Sequence, residues 1–316
     1  LTIVNLQLYV MCFLLNFKYS YMLRIAMRVK LIQVDGEKPN LYLMRRSTDH
    51  KQRGDIAGFY TADPELVYIS CIFKWNATKA INIASYYESL GCVVNLGGSG
   101  INLDYDYEMD NVFPDYSLYD MDYDLGFTTR GCIRKCHFCV VPKKEGQFRL
   151  TEHPIKFHDP SHKSVVLMDN NILIDVEWFK EIANYLIDNK LKVDFNQGLD
   201  IRLMIPEIAS IIHKLKPIKL WHFAFDSLAY KDDLITGVRM LLDAGVKLRN
   251  CANFYVYLHD DNDFDSALER CNILRDLNCL PYIMVNRDAV ITQRMRDLKR
   301  WTRPQIFFSC EFWEYQ

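Results

Sequence analysis

The sequence predicts an α/β fold built on parallel sheets, and three observations carry that expectation. Short apolar runs alternate with amphipathic runs of about 10–14 residues, as strands and helices of βα units do. The alternation occurs on both sides of an acidic, tyrosine-rich stretch, which implies two units. In the longer, second series, six strand-like runs follow one another and polar residues collect at their ends.

With 316 residues the chain is long enough for one large domain or two ordinary ones. Half of it is hydrophobic and a quarter charged, the balance of a globular protein with a sizeable core. The net charge of −2 provides no global attraction to nucleic acid or to an acidic membrane. Of the ten cysteines, seven are scattered singly and three fall within eight residues. A secreted disulfide framework is shorter and more evenly studded. The pattern instead suits a reducing, cytoplasmic setting with small core cysteines and one metal-binding cluster.

Residues 1–26 are mostly apolar, but Asn5, Gln7, Asn16 and Lys18 interrupt the run, so no membrane span is expected. They read as an upstream extension or apolar leader ahead of a start at Met22 or Met27, rather than as a signal peptide. Residues 27–35 and 66–73 look like buried parallel strands, Lys79–Leu90 has helical spacing, and residues 92–100 form a strand running into a glycine turn. Together, residues 27–103 make a small doubly wound α/β unit. Residues 104–124 hold eight acids and five tyrosines around Pro114 and read as a surface linker.

From Leu125 the six strand-like runs are 125–131, 164–171, 192–198, 219–226, 252–258 and 280–286. The helical runs between the last five complete a parallel barrel or open sheet over residues 125–290, with a C-terminal extension at 291–316. Chemistry in such folds gathers at the C-terminal strand ends. Asp169, Asn170 and Asn171 follow the second run, Asn196, Gln197 and Asp200 the third, and Asp226 the fourth.

The segment GFTTRGCIRKCHFC places Cys132, Cys136 and Cys139 in a C-x3-C-x2-C loop directly after the first run. Structural zinc needs a fourth ligand, and His137, between two of the cysteines, cannot easily turn to the same ion. Haem attachment uses C-x2-C-H, which is one residue shorter than Cys132 to His137 allows. Three thiolates suit a four-iron cluster whose fourth iron is open for chemistry, whereas electron-transfer clusters take four cysteines. On spacing alone, a zinc or structural iron–sulfur module remains an alternative.

C-x3-C-x-aromatic-C after the first strand of a six-strand α/β series resembles the radical S-adenosylmethionine (SAM) superfamily, and the likeness covers roughly residues 121–290. The resemblance implies a partial (β/α)6 barrel in which Cys132, Cys136 and Cys139 bind three irons of a [4Fe–4S] cluster. SAM would chelate the fourth iron, Phe138 would pack near its adenine, and an external flavodoxin- or ferredoxin-like donor would supply the electron. Reductive cleavage of SAM would then give a 5′-deoxyadenosyl radical for hydrogen abstraction. The continuation VVPKKEG (140–146) is similar to the same place in tRNA methylthiotransferases, which adds RNA or peptide methyl- or methylthio-transfer as an alternative reaction. SCIFKWN (70–76) and VNLGGSG (94–100) are similar to the Rossmann-like, cobalamin-binding N-terminal domain of other members. The D-x-H-x-x-G motif that ligates cobalt is absent, so cobalamin would have to bind here without that histidine.

The family places a SAM-amino motif after strand two. Asp169 and Asn170 stand there in Met168-Asp169-Asn170-Asn171, able to accept from an ammonium group or to cap the next helix. Asn196 and Gln197 end the third run, and Arg202 is shaped to bind the SAM carboxylate or to pair with Asp200. Asp226 would bond ribose hydroxyls or cap the following helix. His222 sits within the fourth run, where a lone histidine is ordinarily structural. Near the C-terminus, Arg287, Arg294, Arg296, Lys299, Arg300 and Arg303 with Trp301 form either a solvated closing helix or an RNA-binding surface.

Overall fold

The computed structural model describes residues 26–103 and 107–315. Residues 1–25, expected to be an upstream extension, and 104–106 lie outside the described residues. The chain divides into two compact units, Leu1–Asp104 and Tyr105–Gln316.

The first unit runs β1 (Arg28–Gln33), α1 (Leu41–Gln52), β2 (Ile56–Gly58), β3 (Leu66–Ser70), α2 (Ala77–Ser89) and β4 (Val93–Gly97). Its four strands are parallel in the order β2-β1-β3-β4. The crossovers leave β1 and β3 in opposite directions along the sheet, so right-handed connections place α1 and α2 on opposite faces. Ala80 and Ala84 of α2 close onto Val67, Ile69 and Cys71 of the sheet. The sequence reading did not find α1 and β2. The reason is chemical: α1 buries Arg45, Ser47 and His50, so it has no clean apolar stripe. Its start is set by Asn40, whose Oδ1 accepts from Leu43 N–H at 3.2 Å while Nδ2 donates to Ser70 Oγ at 2.8 Å.

The second unit begins with short 3₁₀ turns and continues with β5 (Asp124–Gly126), β6 (Thr129–Arg130), α3 (Val141–Lys144) and β7 (Arg149–Leu150). The series then runs β8 (Ser164–Leu167), α4 (Val176–Asp188), β9 (Lys192–Phe195), α5 (Pro206–Lys214), β10 (Lys216–Pro217) and β11 (Trp221–Ala224). It ends with α6 (Lys231–Asp243), β12 (Ala252–Leu258), α7 (Phe264–Asp276), β13 (Leu280–Val285), α8 (Gln293–Trp301), α9 (Pro304–Phe307) and α10 (Phe312–Tyr315). Strands pair in parallel as β10-β9-β8-β5 and β11-β12-β13. A single parallel bridge between Leu199 and Phe223 joins the two sets, so six strands run in chain order β5, β8, β9, β11, β12, β13. β5 and β13 do not pair with each other, and the sheet is open rather than a closed barrel.

Stepping always in one direction with right-handed crossovers keeps every helix on one face. That face is the core: Val165, Val193, Phe223, Phe254 and Ile283 pack under Phe179, Ile182, Ile208, Leu241 and Leu274. The amphipathic run 176–188 coincides with α4, and the strand-like run 252–258 with β12.

Two expectations need correction here. The first strand-like run, 125–131, is not one strand. β5 stops at Gly126, where a Cβ would come within 2.6 Å of the Phe157 ring, and β6 turns away to pair antiparallel with β7. Nor is residue 124 part of a solvated linker. Asp124 opens β5, its side chain is wholly buried, and it accepts from His158 Nδ1 (2.5 Å), His162 Nδ1 (2.8 Å) and Asp159 N–H (3.0 Å). Tyr116, also from the acidic stretch, is buried and donates its hydroxyl to the Phe157 carbonyl at 2.5 Å.

Candidate functional site

The cysteine loop connects β6 to α3. It opens at Gly131, where φ is +74° and a Cβ would stand 2.1 Å from the Gln147 carbonyl oxygen, so the turn admits glycine alone. Arg134 N–H then points at Cys132 Sγ (3.3 Å), and Cys139 N–H donates to the Cys136 carbonyl (3.0 Å), curling the chain around the thiols. All three cysteines are free and partly exposed. Burial pushes the Cys136 thiol up, against the pull of the Arg202 guanidinium, and burial also pushes Cys139 up. Asp226 and Cys132 add to the push on Cys136, and Cys136 and Cys132 add to that on Cys139.

Among the described residues, no three His, Cys, Asp or Glu side chains converge as ligands of a single ion. A four-iron cluster asks for something different. Each thiolate binds its own iron, so the sulfurs surround the cluster rather than meet at one point.

Three buried or half-buried carboxylates organise the ground around this loop. Glu145, just after α3, accepts from Arg130 Nη1 (3.2 Å), Gly131 N–H (3.0 Å) and Asn170 Nδ2 (2.7 Å). Asp169, past the end of β8, uses Oδ1 to accept from the backbone N–H and hydroxyl of both Thr128 and Thr129, at 2.5–3.0 Å. Burial nevertheless raises its carboxyl above the ordinary range. Asp200 takes Arg134 Nε (3.0 Å), Asn171 Nδ2 (3.1 Å) and a two-point contact from Arg202 (2.6 and 3.0 Å). Burial pushes Asp200 up, but the two guanidiniums outweigh it and hold the carboxyl below its usual value.

The sequence-expected residues fall into distinct places within this arrangement. Asp169 caps no helix, since that work falls to Asp175, which accepts from Trp178 N–H at 2.9 Å. Its Oδ1 is committed to the two threonines, while Oδ2 is buried without a partner among the described residues. Asn170 is taken up by Glu145, and its neighbour Asn171 reaches both Asp200 and, at 3.9 Å, Cys132 Sγ. Asn171 Oδ1 is likewise buried without a partner among the described residues. Arg202 pairs with Asp200 and lies 4.4 Å over the Tyr230 ring. Asp226 also caps no helix, accepting instead from Tyr257 N–H at 2.8 Å, and burial raises its carboxyl. Asn196 and Gln197 are exposed at the end of β9, and no bond is seen between either side chain and the loop. Phe138 stacks on Tyr257, centroids 4.1 Å apart and planes 21° off parallel.

Glu145, Arg134, Tyr230 and Asp194 escaped the sequence reading. Arg134 lies inside the cysteine motif, and its spacing from the thiols was the one available signal. Glu145 and Asp194 have no local signature, because their partners come from other strands. Asp194 bonds His222 Nδ1 at 2.9 Å, so His222 is not a lone histidine. The acidic loop after β12 is a capping and pairing loop: Asp260 accepts from Asn262 N–H, and Asp261 is clamped by Arg294 at 2.7–2.8 Å. That leaves Arg296, Lys299, Arg300 and Arg303 as an exposed stripe beside a cleft of 410 Å³ along β13, while Met295, Leu298 and Trp301 face the core.

No protein-family model matches the chain, and no curated protein is similar to it at a significant level. Fold and site therefore define the class directly: an α/β protein of parallel sheets, with three free thiols in a loop at the strand ends among carboxylates and guanidiniums. No helix among the described residues is long and apolar enough to cross a membrane.

Proposed function

We propose that this chain is a radical SAM enzyme whose second unit is a partial (β/α)6 barrel and whose Cys132, Cys136 and Cys139 hold a [4Fe–4S] cluster. One observation carries the reading. The three-thiol loop follows the first of six parallel strands in chain order, and two buried polar atoms past the end of the next strand, Asp169 Oδ2 and Asn171 Oδ1, have no partner among the described residues. A buried acceptor left unpaired costs about 1–3 kcal/mol, so each favours a ligand that brings donors. The amino group of SAM is such a donor.

The chain's own residues would do the rest by holding and by neutralising charge. Arg202 places positive charge beside Cys136 and opposes the upward push of burial on that thiol, while Arg134 turns its backbone N–H to Cys132 Sγ. Arg202 is already clamped by Asp200, so its part is to offset thiolate charge rather than to fork the methionyl carboxylate. The Phe138–Tyr257 stack offers a flat wall for the adenine. With Cys132, Cys136 and Cys139 holding it, a bound cluster would supply the electron for reductive cleavage of SAM to methionine and a 5′-deoxyadenosyl radical able to take a hydrogen atom from substrate. A flavodoxin- or ferredoxin-like donor would replace that electron.

Anaerobic reconstitution tests this. The expected result is about four irons and four sulfides per chain, with 5′-deoxyadenosine formed when SAM and dithionite are added. Tight stoichiometric zinc with no such product would overturn the reading. A Cys136→Ala variant that still cleaved SAM would overturn the ligand assignment.

A further inference from the structure

Parallel sheets ordinarily bury both faces in aliphatic side chains. The second unit does so on its helix side only. The alternate residues, which point away from the helices, include Asp194, His222, Asn253, Tyr255, Tyr257 and Tyr282. A face of that composition is made for water or for a ligand, and its side chains are arranged rather than scattered.

His222 Nδ1 is 2.9 Å from Asp194 Oδ1, with both side chains about four-fifths buried. A carboxylate accepts, so Nδ1 is the donor of that bond, and the tautomer this selects leaves Nε2 as the ring's acceptor. Among the described residues nothing is bonded to Nε2. Tyr255 stacks on the imidazole, with centroids 5.4 Å apart and planes 17° off parallel. It is held there from two sides. Its hydroxyl donates to the Asn196 carbonyl (3.1 Å), and Gly198, at φ +87°, leaves only 3.3 Å between a hypothetical Cβ and the ring. Burial pushes the Tyr255 phenol up to about 12, which keeps it a donor at neutral pH. Tyr282 meets Tyr255 edge-on at 5.8 Å and is half exposed, so its own ring is open to stacking. Two residues further along β12 than Tyr255, roughly 7 Å at the usual strand rise, Tyr257 stacks on Phe138 of the cysteine loop.

We propose that the Asp194–His222 pair with Tyr255 and Tyr282 is the substrate-recognition site. Its ligand is an uncharged heteroaromatic ring of nucleobase type, stacked on Tyr282 and donating a ring N–H to His222 Nε2. The chemistry selects this class. The Asp194 carboxylate behind the imidazole disfavours phosphate or carboxylate at that point, while the acceptor atom and open tyrosine face favour a flat N–H donor. That the bound ring is the molecule acted on rests on the radical SAM reading; the binding itself does not.

The test is equilibrium binding to the full chain as purified, using guanosine and uridine as probes beside 1-methylguanosine and 3-methyluridine, which lack the ring N–H. At least one parent nucleoside is expected to bind at millimolar concentration or below, about tenfold more tightly than its methylated form, since a lost hydrogen bond that strands its partner costs on the order of 1.4 kcal/mol. His222→Phe keeps the stack and removes the acceptor, so it should abolish that discrimination, while Tyr282→Ala should weaken parent and methylated forms alike. Absence of binding by either parent nucleoside, or equal affinity for the methylated forms in the wild-type chain, would overturn the proposal. Formation of 5′-deoxyadenosine is measured separately. Its absence alongside discriminating binding would sink the enzyme reading and leave the recognition site standing.

Discussion

Asn170 Nδ2 donates to Glu145 Oε2 at 2.7 Å, and this bond ties the end of β8 to the far side of the cysteine loop. The same carboxylate also receives Arg130 Nη1 and Gly131 N–H, so the entry of the loop, its exit and the neighbouring strand end are fastened at one buried group. Loop position is therefore decided by side-chain chemistry more than by the loop's own backbone.

Glu145→Ala should accordingly cost about 1–3 kcal/mol, because it removes one carboxylate partner of a buried guanidinium and the acceptor of the Gly131 and Asn170 donors. Denaturant unfolding of the wild-type and variant chains measures this. A loss under 1 kcal/mol would mean that Asp110, 3.6 Å from Arg130, compensates for the missing partner.

Gly131→Ala should leave the sheet intact and displace the loop, since the added Cβ would stand 2.1 Å from a backbone oxygen in a left-handed conformation. The expected readout is normal secondary structure by circular dichroism with loss of most reconstituted iron. Full iron content in this variant would contradict the assignment of the loop geometry.

Asp169 and Asp200 predict opposite pH dependences. Burial raises the Asp169 carboxyl, so its contribution to stability is complete below the unfolded-state value near 3.9 and falls as pH rises through the higher folded value. Asp169→Asn retains an acceptor for Thr128 and Thr129, and should flatten that part of the profile without lowering stability at neutral pH. Denaturation midpoints measured from about pH 4 to 7 decide it, and an unchanged slope would count against the buried, raised carboxyl.

Asp200 is held low by Arg202 and Arg134 against the upward push of burial, so its contribution is present above the unfolded-state value and lost as pH falls through the folded one. Removing Arg202 leaves burial less opposed. Arg202→Ala should therefore move acid unfolding to higher pH, followed by ellipticity on titration with acid. A midpoint unmoved by the substitution would show that Arg134 alone keeps the carboxyl ionised.

Much of the architecture was legible because its signals are local. Residues 176–188 carry an apolar stripe at helical spacing and fold as α4; residues 252–258 alternate and fold as β12. The polar strand ends were legible for the same reason, as was the three-cysteine spacing. The missing pieces lack such a pattern. α1 buries an arginine and a histidine, and the latter is satisfied by Asp55 and Tyr68, from outside the helix. Asp124 looked like one more acid in an acidic run until His158 and His162 met it across more than thirty residues.

By itself, then, the sequence determined segments with a clear local pattern, such as α4 and β12, and which three cysteines share a loop, since propensity and periodicity act over a few neighbouring residues. Only the tertiary structure decided what the polar residues at the strand ends do. Asp169 went to two threonines, Asp200 to two arginines, and Asp194 to His222, because a buried charge must take whatever partner the fold brings within hydrogen-bond reach. Those partners lie between 2 and 66 residues away along the chain, and for the distant ones no local pattern could have named them.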